Sequence, residues 1–208
     1  MGNRAVITTR EHEIGVYLHW NGGLDTVAPL LRYCELQGYR PPSADCYGWA
    51  RICQVMGNFF GGSLSLGIDR FERLSNPGDN GVYVIDGWEI VGREGLYDGF
   101  TEENEYDFDV MLHEFDASMP EGERLGEYLD AAEVPFSEVE LGDEVWMRTA
   151  YGLKAFPVIG FAEVPAPLSR GGGRLERRPY VALYEKDGDY TWNPNNFPEG
   201  DVLRVRRR

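Results

Sequence analysis

Sulfur and imidazole are scarce in this chain of 208 residues, which has three cysteines and three histidines. Cys34, Cys46 and Cys53 form neither a CxxC pair nor an even set, so a disulfide framework is excluded and core thiols in a reducing compartment are expected. His12, His19 and His113 stand far apart, which argues against zinc. No metal and no cofactor are expected. No apolar run approaches the roughly 20 residues of a membrane span. The N-terminus lacks the basic-plus-apolar pattern of a signal peptide, and Val6 stands where a myristoylation signal wants Ser or Thr. These absences predict a cytoplasmic protein with no membrane partner. Nucleophile-elbow, P-loop, HExxH and GxGxxG patterns are absent too. No catalytic residue is assigned, and a non-enzymatic role is favoured.

Apolar residues make up 42% and aromatics 13%, which places the chain among globular proteins. The 26 glycines and 12 prolines predict many turns and a substantial β component. A chain of this length buries roughly 70% of the surface its unfolded form exposes, enough for a real core.

Positive charge is nearly missing from one long stretch. Residues 102–144 hold sixteen acidic residues and a single basic one, Arg124, a net charge of −15 that equals that of the whole chain. The rest of the sequence balances to zero. One account is a solvated linker or helix face. Yet Tyr106, Phe108, Val110, Met111, Leu112, Phe115, Leu125, Tyr128 and Leu129 are interleaved with the carboxylates, and a purely solvating tail lacks such residues. Fixed acids with apolar anchors suit a basic protein groove. Nucleic acid is a poor direct partner for this sign of charge. A calcium loop in 98–109 is disfavoured because the mid-loop glycine and ligand spacing of an EF-hand are missing.

The periodicity predicts an α+β fold. Residues 4–9 and 14–20 read as a β-hairpin, with Arg4 expected to pair with an acid of the sheet such as Asp86 or Glu89. Asp25 reads as the N-cap of a first helix that ends at Gly38. A second helix is predicted over 44–60, with a stripe of Cys46, Trp49, Ala50, Cys53, Met56 and Phe60. Residues 63–71 alternate like a strand, and 82–86 and 88–93 read as a hairpin across Gly87. The expected N-terminal domain, 1–93, is an antiparallel sheet with two packed helices. A partly helical acidic connection, 94–135, follows. Residues 136–208 then predict a small β-barrel or meander, with strands in 140–148, 155–164, 179–192 and 201–208 and a basic loop over 167–179. That loop and the terminal RVRRR carry positive charge, and docking on the chain's own acidic segment is the favoured role for them.

The stretch YLHWNGG, 17–23, poses the question of a chemical site against an ordinary corner. His19, Asn21 and Asn80 form the candidate pocket for a small molecule or nucleotide, while a turn needing left-handed residues is the plainer account of both Asn-Gly pairs. Gly22-Gly23 before a helix also suits an anion, but Asp25 opposes one.

MGNRAVITT, GVYLHWNGG, CYGWARICQVMGNFFGG and DNGVYVIDGWEIVGR resemble a group of uncharacterised small proteins of Gram-positive bacteria and their phages, plasmids and integrative elements. The resemblance spans about residues 1–93 and carries over no catalytic residue. It implies a mobile-element context, in which small acidic proteins blunt host defences such as restriction or CRISPR nucleases. The resulting expectation is an inhibitor that binds a basic nucleic-acid-handling host protein. Its contact residues would be Glu102, Glu103, Glu105, Asp107, Asp109, Glu114 and Asp116, with Tyr106, Phe108, Phe115 and Tyr128 as anchors.

Overall fold

The structure, a computed structural model, describes residues 3–62, 64–74, 79–96, 105–149, 152–165, 175–181, 184–186, 189–191 and 202–207. The chain separates into two compact units, Met1–Leu125 and Gly126–Arg208. The division falls inside the acidic stretch, so each unit receives part of it.

In the first unit, β1 (Ala5–Thr9) and β2 (Ile14–Leu18) form the predicted hairpin, with Ala5 opposite Leu18. β3 (Leu66–Arg70) pairs antiparallel with β2. β4 (Val82–Asp86) and β5 (Glu89–Glu94) form the hairpin across Gly87, whose φ of 61° is the left-handed region a tight turn requires. The sheet order is β3-β2-β1-β4-β5. It is mixed rather than antiparallel, because β1 and β4 run parallel with Val6 opposite Val82. A parallel pair needs a long crossover, and the helical segment between these strands supplies it. Val6, Val82 and Val84 are buried on one face with Tyr17, Phe71 and Leu74 against them. Ala5, Ile7, Val16, Leu18, Tyr83 and Ile85 fill the other face and are equally buried. A sheet covered on both faces reads as continuous apolar runs, as AVI and VYVI do.

Among the described residues three α-helices belong to this unit, the two expected within 1–93 and one from the segment expected to be partly helical: α1 (Leu24–Leu36), α2 (Cys46–Phe59) and α3 (Phe108–Ser118). Asp25 does not cap α1. Gly23 is the N-cap, and Asp25 sits buried in the first turn. Asp45 does cap α2, accepting the Tyr47 N–H at 2.9 Å. α2 buries Trp49, Ile52, Val55 and Met56. Its expected stripe is therefore rotated, with Cys46 and Ala50 exposed and Cys53 half-buried. The β-branched and aromatic residues decide the inward face, and the small thiols do not. Cys34 alone of the three cysteines is fully buried, and burial pushes its thiol pKa up. α3 packs against both α1 and α2.

The second unit is a curled five-stranded sheet, a half-barrel in the order β6-β12-β7-β8-β9. Its strands are β6 (Ala132–Pro135), β7 (Glu144–Thr149), β8 (Gly152–Pro165), β9 (Leu175–Val181) and β12 (Val202–Arg206). The short pair β10 (Tyr184–Lys186) and β11 (Asp189–Thr191) forms a separate ribbon, with Lys186 opposite Asp189. Val134, Phe136, Val139, Val145, Val158, Leu203 and Val205 make the core. Each such side chain contributes roughly 1.5–3 kcal/mol by leaving water. Part of the expected basic loop is strand: Arg177 lies in β9 opposite Glu163. The remainder, 167–174, lies outside the described residues.

Candidate functional site

The corner at YLHWNGG is built from backbone bonds. Asn21 takes a left-handed φ of 55°. The Gly22 N–H donates to the Asn3 carbonyl at 2.8 Å, and the Tyr83 hydroxyl donates to the Gly22 carbonyl at 2.9 Å. Asn80 donates its backbone N–H to the Arg4 carbonyl at 2.9 Å and its side-chain amide to the Asn3 side chain. Its carbonyl accepts from Arg93 at 2.8 Å. Asn80 is thus buried, and its backbone N–H, carbonyl and side-chain amide nitrogen tie two loops together. His19 is on the surface with Trp20 edge-on to its ring, and its Nδ1 lies 2.9 Å from the Tyr17 hydroxyl. Of the candidate pocket trio, the structure places Asn80 inside and His19 outside, with half-buried Asn21 turning the chain between them.

Arg4 pairs with neither expected acid. Its partner is Asp79, which accepts the Arg4 backbone N–H at 3.0 Å and the guanidinium at 3.1 and 3.3 Å. The guanidinium bond, supported by the backbone N–H, holds the Asp79 carboxyl below the ordinary carboxylate range. Asp86 pairs instead with Arg10 at 3.1 Å.

The acidic stretch differs between the two units. In the first, Asp107 caps α3, accepting the N–H groups of Asp109 at 3.0 Å and Val110 at 3.2 Å. Met111, Leu112 and Phe115 face inward. Phe115 is fully buried, its ring 4.8 Å from Phe59 and 6.2 Å from Tyr33. Asp116 is buried beside it and accepts the Tyr33 hydroxyl at 2.8 Å and the Leu125 N–H at 2.6 Å. Burial, with the Asp116 charge adding to it, pushes the Tyr33 hydroxyl pKa up. Gln37 completes the network by donating to the Tyr33 hydroxyl and to the Glu123 carbonyl. Phe115 and Asp116 therefore belong to the core, where no partner can touch them. A 3.6-residue period separates them from the exposed side, but negative charge at position 116 hid the inward turn.

Every described residue from 105 to 110 is exposed, as are His113 and Glu114. Tyr106, Phe108 and Val110 present large apolar side chains that are 44%, 44% and 55% accessible. Among the described residues no ion pair holds Glu105, Asp109 or Glu114. The single cation of the segment, Arg124, turns away to the carbonyls of Met119 and Ala117, each at 2.9 Å. Glu102 and Glu103 lie outside the described residues.

In the second unit the acids meet the terminal arginines. Arg204 bonds Glu133 at 2.9 Å and the Tyr128 carbonyl at 2.8 Å, with its guanidinium carbon 4.9 Å from the Tyr128 ring centre. Arg206 bonds both Glu144 and Glu127. The Glu144 contact, first of all, raises the guanidinium pKa of Arg206. Arg204 and Arg206 of the terminal basic run thus pair with acids of the chain's own acidic stretch. Tyr128, expected as an anchor, is half-buried under Arg204.

Among the described residues no three His, Cys, Asp or Glu side chains come together to hold a metal ion. No described helix is long and apolar enough to cross a membrane. Comparison with known proteins finds no matching family, no matching curated protein and no matching solved structure.

Proposed function

We propose that the protein is a mobile-element accessory protein that binds and inhibits a basic nucleic-acid-handling host protein, docking through the leading end of α3. One observation carries this reading. Tyr106, Phe108 and Val110 stand in solvent, alternating with the carboxylates of Glu105, Asp107 and Asp109, on a segment whose start is capped. Large apolar groups clustered on a surface mark interaction sites. Carboxylates free of intramolecular cations supply the field that steers a basic partner and the sign that repels phosphates. Asp107 has a second duty as a cap, so Glu105, Asp109 and Glu114 are the acids on which contact rests. The N-terminal sheet and α1–α2 serve as the platform. The resemblance of residues 1–93 to proteins of mobile elements supplies the context of anti-defence.

The test is protection of DNA from purified restriction and CRISPR nucleases. The native protein slows cleavage by its target, and added salt weakens the effect because exposed charges are screened. Replacing Glu105, Asp109 and Glu114 together by Lys removes protection. Full protection by that variant contradicts the proposal, as does the absence of protection against every basic nuclease tried.

A small-molecule site beside His19 has less support. Asn80 is buried with its backbone N–H, its carbonyl and its side-chain amide nitrogen already bonded, while the ring of His19 and its Tyr17 partner stand at the surface.

A further inference from the structure

The two glycines of YLHWNGG lead to a buried carboxylate that does not cap its own helix. Asp25 is 8% exposed in the first turn of α1, and the N-cap of that helix is Gly23. Asp25 Oδ2 instead accepts two consecutive N–H groups from a distant stretch, Glu105 at 2.9 Å and Tyr106 at 3.2 Å. The next residue, Asp107, caps α3. We infer that Asp25 is a positioning residue that clasps the leading end of the docking segment, and that Gly23 is a glycine because a side chain there would crowd the clasping carboxylate, whereas Gly22 is confined by the backbone of β1. This rests on the docking role proposed above for Glu105–Val110.

A Cβ on Gly22 would lie 2.7 Å from the Ala5 backbone nitrogen, and one on Gly23 would lie 2.5 Å from Asp25 Oδ1. Gly23 has φ −67° and ψ 160°, a conformation open to any residue, so its need for glycine is steric. Two N–H groups on one oxygen fix both the position and the direction of the backbone that carries Tyr106. A buried polar oxygen left without a hydrogen bond is costly, and these two N–H groups satisfy Oδ2. A segment held before contact loses less conformational entropy on binding than a loose one. The corner is therefore joined to the acidic surface, although some 80 positions separate them in sequence.

Hydrogen–deuterium exchange of the full chain reads the clasp directly. In Asp25→Ala, the amides of Glu105 and Tyr106 exchange about tenfold faster, while those of β1 and β4 keep their protection. Gly23→Ala, which displaces the carboxylate sterically, gives the same local loss and guards against a folding failure in the first variant. Asp25→Asn retains part of the protection, because its side-chain carbonyl still accepts. Unchanged exchange at 105 and 106 in both Asp25→Ala and Gly23→Ala overturns the inference. Binding is read with a fluorescein-labelled peptide of alternating arginine and leucine. Asp25→Ala weakens its affinity about tenfold and Asp25→Asn restores part of it, with every surface carboxylate still present. Loss of protection without loss of affinity overturns the positioning role. If the native protein does not take up the peptide, the docking proposal fails at this probe, while the exchange data still decide whether the clasp exists.

Discussion

The two parts of one acidic stretch have different fates. Residues 105–125 lie in the first unit, where α3 turns Met111, Leu112 and Phe115 inward and leaves Tyr106, Phe108 and Val110 in solvent. Residues 126–144 lie in the second, where Val134, Phe136 and Val139 join the core and Glu127, Glu133 and Glu144 pair with Arg204 or Arg206. The first part keeps its charge and its apolar groups available. The second uses both to hold a half-barrel together. Composition alone is therefore a poor guide to what an acidic run does, because the same residue types stay in solvent in one unit and pair within the fold in the other.

Substitutions within the first part separate its inner and outer faces. Phe115→Ala removes a fully buried ring and costs about 3–5 kcal/mol of stability, read as a lower denaturant midpoint. Phe108→Ala, on the outer side, leaves that midpoint in place and weakens inhibition instead. Asp116→Ala strands the Tyr33 hydroxyl and the Leu125 N–H in the interior, a loss of about 1–3 kcal/mol in the same measurement. In the second part, Arg206→Ala leaves Glu144, whose side chain is only 10% accessible, without its guanidinium. Thermal unfolding of the half-barrel then moves to lower temperature while nuclease inhibition stays native.

A smaller effect is tied to pH. The folded-state pKa of Asp79 is depressed by Arg4, so the stabilisation is fully present above the unfolded carboxylate value of about 4 and is lost as pH falls through the lower folded value. Melting curves of the native protein and Asp79→Asn therefore differ at neutral pH and converge in strong acid. The smallest change in stability is expected from Glu105, Asp109 and Glu114 replaced together by Lys. All three are exposed, and the midpoint shifts by no more than about 0.5 kcal/mol per site.

Much of the fold was legible where the signal is local. The alternation in AVITT and IGVYL and the turn at Gly87 identify two hairpins, and the apolar spacing over 44–60 identifies α2. The parallel pairing of β1 with β4 was not legible, because it depends on which distant strand arrives at a free edge. Asp25 shows the same limit at the candidate site. A residue with strong capping preference next to a helix start reads as a cap, yet tertiary contact turns it toward Glu105 and Tyr106. The interleaving of apolar groups with acids over 105–116 was legible. Their division into exposed Tyr106 and Phe108 and buried Phe115 and Asp116 required the helix phase that α1 and α2 impose.

The difference between the two parts is tested most directly by inhibition of one target nuclease by two charge-reversed proteins. One carries Lys at 105, 109 and 114, and the other carries Lys at the exposed acids Asp130, Glu138 and Glu140 of the second unit. Both change the net charge equally. Loss of inhibition in the first protein with native inhibition in the second is the predicted result. Equal inhibition by the two proteins, whether lost or retained in both, would contradict the assignment of docking to the leading end of α3.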